Sequence, residues 1–220
     1  MSFRWAAGLA LCLASCAPAS HGAREPPSPS PPPAMFAEDG KSLLRFHSKR
    51  FALSLPLPEG HAWRIDDHSR PELVATHDPT RSRIVLAVVR MEELVGRQQC
   101  EALARERKLV PASRLTTIED DDTVTQETFD TRVWVALEPL RGPGAPIVGH
   151  VMAFGGFLRK CFVFDYSTSV DSAAQEDVLS ARLAFARARI LSGLSLDPFL
   201  LPPREAPSGD GSGTGDGQSR

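Results

Sequence analysis

The sequence is poor in the patterns that announce chemistry. It has no Gly-x-Ser-x-Gly elbow and no Cys-x-x-Cys pair, so the signatures of a hydrolase nucleophile and of a thioredoxin-like redox centre are both missing. No long basic run occurs and the formal net charge is -2, which argues against a nucleic-acid partner. The apolar run Ala6 to Leu13 is too short to cross a bilayer as a permanent helix. Cysteine is scarce, with 4 in 220 residues. The glycine-rich run Gly142 to Gly149 lacks the strand-to-helix setting in which such a loop cradles phosphate, and reads as a flexible connection.

The N-terminus carries the strongest signal. Arg4 supplies a positive n-region, Ala6 to Leu13 an apolar segment, and Leu13-Ala14-Ser15-Cys16 a hydrophobic residue, two small residues and a cysteine. This resembles the lipobox of bacterial lipoproteins, which implies cleavage before Cys16 and lipidation of its thiol. An ordinary secretory signal cut after Ala17 or Ala19 is the alternative. Losing the one charge of Arg4 takes the net charge to about -3. Ala17, not Asp, follows the cysteine, which by the sorting habit of enteric bacteria points to the outer membrane, facing the periplasm.

Composition then divides the chain. Residues 1–15 read as signal peptide and 16–41 as the lipidated cysteine and a stalk, whose prolines favour extended polyproline II and remove amide donors. Residues 42–201 read as a single domain, and 202–220 are too polar and glycine-rich to form a core. With Cys12 in the signal and Cys16 lipidated, Cys100 and Cys161 are the only thiols of the mature domain. Outside the cytoplasm they are a candidate disulfide, with two buried free thiols as the alternative.

Within the domain, Phe51, Leu53 and Leu55 alternate with smaller residues as in a strand, and Trp63, Leu73 to His77 and Arg83 to Met91 extend this to a meander. Glu92 to Leu109 changes to helical spacing, placing Cys100 and Leu103 on the stripe that faces the sheet. Strands follow at Leu115 to Ile118 and Thr123 to Glu138, with the acidic run Glu119 to Asp122 expected at a solvated hairpin tip. Ile147 to Phe157 and Cys161 to Ser167 are two more strands, the last apolar on both faces and therefore central. A final helix is expected to be capped at Asp171 or Ser172, with Gln175 completing a capping box. It carries the rows Val178, Ala181, Phe185, Ala188 and Leu179, Leu183, Ala186, Ile190, and stops at Gly193 in a left-handed conformation.

This element order, with Phe51-Ala52-Leu53-Ser54-Leu55-Pro56 leading to Gly60 and Trp63 and the pair Gly155-Gly156 before the later strand, resembles the PsbP-like fold over roughly residues 45 to 196. That family includes a photosystem II subunit, a nuclear import factor and the bacterial lipoprotein family DcrB. The resemblance implies an α+β fold, an antiparallel sheet flanked by two main helices in an α/β/α sandwich. It also implies a binding or assembly role without catalytic residues or a cofactor.

The expected function is a lipid-anchored binding or assembly module of the cell envelope. Its partners are the membrane, through the anchor, and an envelope protein or ligand that the sequence does not name. The alternative is an envelope enzyme or metal-binding carrier using the residues between His61 and Asp78. There His61, His68 and His77 lie near Asp66, Asp67 and Asp78, imidazoles and carboxylates of the kind that ligate zinc or copper, in a spacing that matches no closed site. The acidic run lacks the alternating ligands and glycine turn of a calcium loop. Because stable anchoring takes more than one acyl chain, Cys16→Ser should release the protein from membranes or leave it as an uncut precursor. Fractionation and gel mobility check this, and unchanged processing with full membrane retention would refute it.

Overall fold

The computed structural model describes residues 35–36, 43–111, 114–125, 129–142 and 144–197. The signal segment, Cys16, most of the stalk and the tail lie outside the described residues. All described residues belong to one unit, residues 33–220. The strands are β1 (Leu44–Ser48), β2 (Leu53–Leu57), β3 (Trp63–Asp66), β4 (Leu73–His77), β5 (Ser82–Arg90), β6 (Thr116–Thr125), β7 (Phe129–Leu137), β8 (Ile147–Phe157), β9 (Lys160–Val170) and β10 (Ser195–Leu196). The helices are α1 (Arg97–Glu106) and α2 (Glu176–Phe185). Seven strands form an antiparallel sheet in the order β3-β4-β5-β9-β8-β7-β6, packed with the two helices, so the fold is α+β as expected.

Strand β9 lies in the middle of that order because it is apolar on both faces. Phe162, Phe164 and Tyr166 join the core that contains Leu179 and Leu183 of α2, while Cys161 and Val163 join a second cluster with Cys100 and Ala104 of α1. Cys100 and Cys161 are bonded, with their Cα atoms 5.4 Å apart, which ties α1 to the central strand. Where α1 begins, the chain passes so close to β8 that a Cβ on Gly156 would stand 2.7 Å from the Gly96 Cα. Only glycine fits at position 156.

Several expectations need correcting. Strand β2 does not belong to the main meander: it pairs with β1 on one side and β10 on the other in a separate three-stranded sheet, a pairing that alternation alone does not encode. Helix α1 is shorter than Glu92 to Leu109. The Val95 amide is committed to Leu158 O (2.7 Å), and Lys108 adopts a left-handed φ of 56° that ends the helix. The acidic run is not at a hairpin tip but inside β6, which is continuous from Thr116 to Thr125 with a bulge between Thr117 and Glu119. The long strand expected from Thr123 to Glu138 therefore divides, Thr123 to Thr125 ending β6 and Phe129 opening β7.

Charge explains why the acids tolerate a strand. Successive side chains leave a strand on opposite faces. Asp120 accepts from Arg132 (2.8 and 2.6 Å) and from Trp134 Nε1 (2.8 Å), and Arg132 also reaches Glu101 of α1 (3.2 Å). Glu119 and Asp121 turn the other way and both pair with Arg187, beyond α2. Arg132 beside Asp120 holds that carboxyl below its ordinary range.

Helix α2 is preceded by a 3-10 turn, Ala173–Gln175, and continues as a π-helical stretch, Ala186–Leu191. Leu179, Leu183, Ala186 and Ile190 are buried, whereas Ala181 and Ala188 are exposed, since the row with the larger apolar area gains more from burial. Ser172 makes no capping bond; Gln175 Oε1 instead accepts from the Asp171 amide at 2.9 Å. Gly193 does not take the left-handed conformation. It is small because a Cβ there would stand 2.7 Å from Pro56 Cγ and 2.8 Å from Arg189 O. Phe36, within the stretch read as stalk, is 4% exposed and packs against His77 and Phe185, each with ring centroids 5.2 Å away. The fold therefore takes up chain before residue 42.

The disulfide closes a loop with a sequence separation of 61. On the chain-entropy estimate this stabilises the domain by about 4 kcal/mol. Replacing both cysteines by alanine should lower the unfolding free energy by roughly that amount. Thiol labelling of the denatured, unreduced domain beginning after Cys16 should find no reactive cysteine, and two labelled thiols would refute the bond.

Candidate functional site

A cleft of about 600 Å³ opens where β4 stops short of its neighbour. The β4–β5 ladder ends at Leu73↔Leu86, while β5 continues to Arg90 paired only with β9. Extending the register would set Pro71 opposite Val88, and proline has no N–H to donate to a ladder. The chain departs there into the turn from Asp66 to Arg70. Asp66 Oδ1 shapes that turn by accepting from the His68 amide (3.2 Å) and the Ser69 amide (2.9 Å). These bonds, with the Ser69 hydroxyl as the strongest influence, hold the Asp66 carboxyl down at about 2.

Three guanidinium groups line the cleft. Arg50, from the β1–β2 connection, donates to the carbonyls of Asp67 (2.8 Å), Arg70 (2.6 Å) and Pro71 (3.4 Å), so it fixes the turn while facing no carboxylate among the described residues. Arg70 and Arg107 are exposed on the two banks. Among the described lining residues Glu72 is the one carboxylate, Asp66 stands behind Arg70 with Oδ2 3.9 Å from its Nε, and Ala87, Val89 and Leu109 supply an apolar floor. Such a surface suits an anionic ligand with some apolar area.

The histidines expected to converge do not. His77 is fully buried, with its ring centroid 5.0 Å from that of Trp63 and Nδ1 2.8 Å from Thr80 Oγ1. Its Nε2 stands at ion-pair distance, 3.3 Å, from Glu59 Oε2. Burial holds this imidazole below its ordinary pKa. His61 is exposed, and His68, also exposed, contacts Asp67 and lines the cleft. Among the described residues no group of three or more His, Cys, Asp or Glu side chains is arranged to hold a metal ion. Thr80 Oγ1 continues from His77 to Ser82 Oγ (2.7 Å) and on to Tyr166 OH (2.9 Å), and Arg182 donates to Thr80 O (3.0 Å). This network fastens α2 to the β4–β5 turn.

Sequence reasoning missed a second buried constellation. His150 Nδ1 lies 2.9 Å from Asp165 Oδ1 and Nε2 lies 3.4 Å from Glu138 Oε1, joining β8 to β9 and to the residue that follows β7. The signal was present as polar residues at inward positions of β8 and β9, but their register was not readable.

No family model matches the chain, and no curated protein matches it. Solved structures do. The cyanobacterial PsbP of Synechocystis (CyanoP) is similar over 76% of this chain and 100% of its own, with TM-score 0.48 and 11% identity. LpqN of Mycobacterium tuberculosis, described as involved in cell envelope biogenesis, is similar over 71% of this chain and 91% of its own, with TM-score 0.42 and 15% identity. A Bacteroides thetaiotaomicron protein is similar over 70% of this chain, with TM-score 0.40 and 10% identity. This chain spans only 48% of it.

His150 yields a pH prediction. Burial alone would push its pKa down, but Asp165 and then Glu138 outweigh burial and raise it above the ordinary value. A raised folded pKa means the stabilisation is complete below the unfolded value of about 6.5 and is lost as pH rises through the folded value. Breaking a buried pair costs about 3 kcal/mol, so His150→Gln should destabilise by that order at pH 6, and the gap should narrow toward alkaline pH. Denaturant titrations of both proteins across that range check it. A gap that widens with pH would contradict the assignment.

Proposed function

We propose that this chain is a lipid-anchored binding or assembly module of the bacterial cell envelope, held at the membrane through Cys16 and meeting its ligand at the Arg50–Arg70–Arg107 cleft. The observation that carries the reading is that cleft, where guanidinium groups from three separate segments surround a strand edge left open by Pro71. The Leu13-Ala14-Ser15-Cys16 run supports the anchor. The Cys100–Cys161 bond supports an extracytoplasmic location, since disulfides persist in oxidising compartments. Binding without turnover is the natural use of such a surface: its cations attract and orient an anionic group, and the apolar floor adds burial.

The test places a photo-crosslinking amino acid at His68, an exposed residue on the cleft wall, in the full-length protein in cells. Irradiation should give a discrete adduct that is lost when Arg70→Glu and Arg107→Glu are combined and kept in Arg189→Glu, an exposed arginine outside the cleft lining. An adduct indifferent to the paired reversal would remove the cleft from the function.

A further inference from the structure

The open edge of β5 narrows the ligand class. Met91 donates its amide to Arg159 O at 2.8 Å, in register with the β5–β9 ladder, and this sets the phase of the strand. Residues alternate in an antiparallel strand, so Ala87 and Val89 spend their N–H and C=O on β9 while Val88 turns both groups toward the cleft it lines. An N–H and a C=O side by side on one edge are a template for another strand. They do not suit a phosphate, which offers acceptors only.

Resting on the binding reading above, we propose that the cleft takes a short extended peptide segment carrying acidic side chains, from a protein partner, added as a strand along β5 at Val88. The main chain of the peptide exchanges hydrogen bonds with Val88. Its acidic side chains reach Arg70 and Arg107 on the two banks, and its apolar side chains lie over Val89 and Leu109. Charge complementarity favours an acidic segment, since Arg50, Arg70 and Arg107 outnumber the carboxylates beside them among the described residues, Glu72 in the lining and Asp66, whose Oδ2 lies 3.9 Å from Arg70 Nε. Pro71 has a positive role here: by ending β4 it keeps the edge vacant, and its carbonyl is held by Arg50 instead of turning back to β5. The site is distinct from the two other edges of the large sheet, the short β3 and the charged β6.

The experiment uses the domain with its disulfide intact and three probes: a fluorescein-labelled Val-Asp-Val-Asp-Val-Asp peptide, the same peptide with alternate amides N-methylated, and vesicles of phosphatidylglycerol. The plain peptide should bind by fluorescence anisotropy, and the methylated one at least about tenfold more weakly, because methylation removes the strand's donors. Arg70→Glu with Arg107→Glu should also weaken binding by at least about tenfold, since charge-assisted contacts are lost. Both residues are exposed, so circular dichroism should show an unchanged fold. Equal binding of plain and methylated peptides overturns strand addition. Vesicle binding that depends on the two arginines, with no peptide binding, overturns the peptide proposal but leaves the cleft as the binding site. Failure of all three probes, or binding indifferent to the arginines, overturns both.

Discussion

Everything in the large sheet is attached to β9. The strand pairs from Lys160 to Ser167 with β5 on one side and over its whole length with β8 on the other, and buries aromatic rings on one face and Cys161 and Val163 on the other. Burial on both faces and pairing on both edges leave it no alternative register. A one-residue slip would exchange Phe162, Phe164 and Tyr166 with Cys161, Val163 and Asp165 and break the bond to Cys100. The helices are then placed by what β9 offers each face, α1 by the disulfide and α2 by the aromatic row.

Away from β9 the problem becomes one of edges, and the fold handles them in different ways. β3 is only four residues long, which limits its use as a template. β6 is long but carries Glu119, Asp120 and Asp121, whose charges are bound to Arg187 on one side and Arg132 on the other. Its acids thus fasten the strand to the body and discourage pairing with a second chain. The step at the end of β4 is different. There Val88 of β5 has no ladder partner on the β4 side, three arginines outnumber the carboxylates Glu72 and Asp66 beside them, and the floor is apolar, so the device that protects β6 is absent where a partner would be received.

How much of this the sequence disclosed depended on whether the signal was local. Leu73 to His77 and Ile147 to Phe157 appear with the bounds that alternation implies, and β9 is central because a strand apolar on both faces has nowhere else to go. Cys100 faces the sheet for the reason helical spacing gives. The acidic run was misplaced because four adjacent charges look like solvated turn, and only the arginines supplied by other elements make a strand acceptable. The separate β1-β2-β10 sheet, the packing of Phe36 and the His150 constellation all depend on pairings that periodicity does not carry. The cleft was also invisible, although Pro71, two residues before a strand, was its local mark. What completes it, Arg50 and Arg107, comes from distant segments.

The open edge at Val88 is the physical claim on which the functional account stands, and residue-resolved amide hydrogen exchange of the unliganded domain tests it directly. The amides of Ala87 and Val89, bonded to β9, should be strongly protected, and Val88 between them should exchange orders of magnitude faster. A Val88 amide as protected as its two neighbours would mean that the edge is already paired, and the account of the cleft as a strand-accepting site would fail.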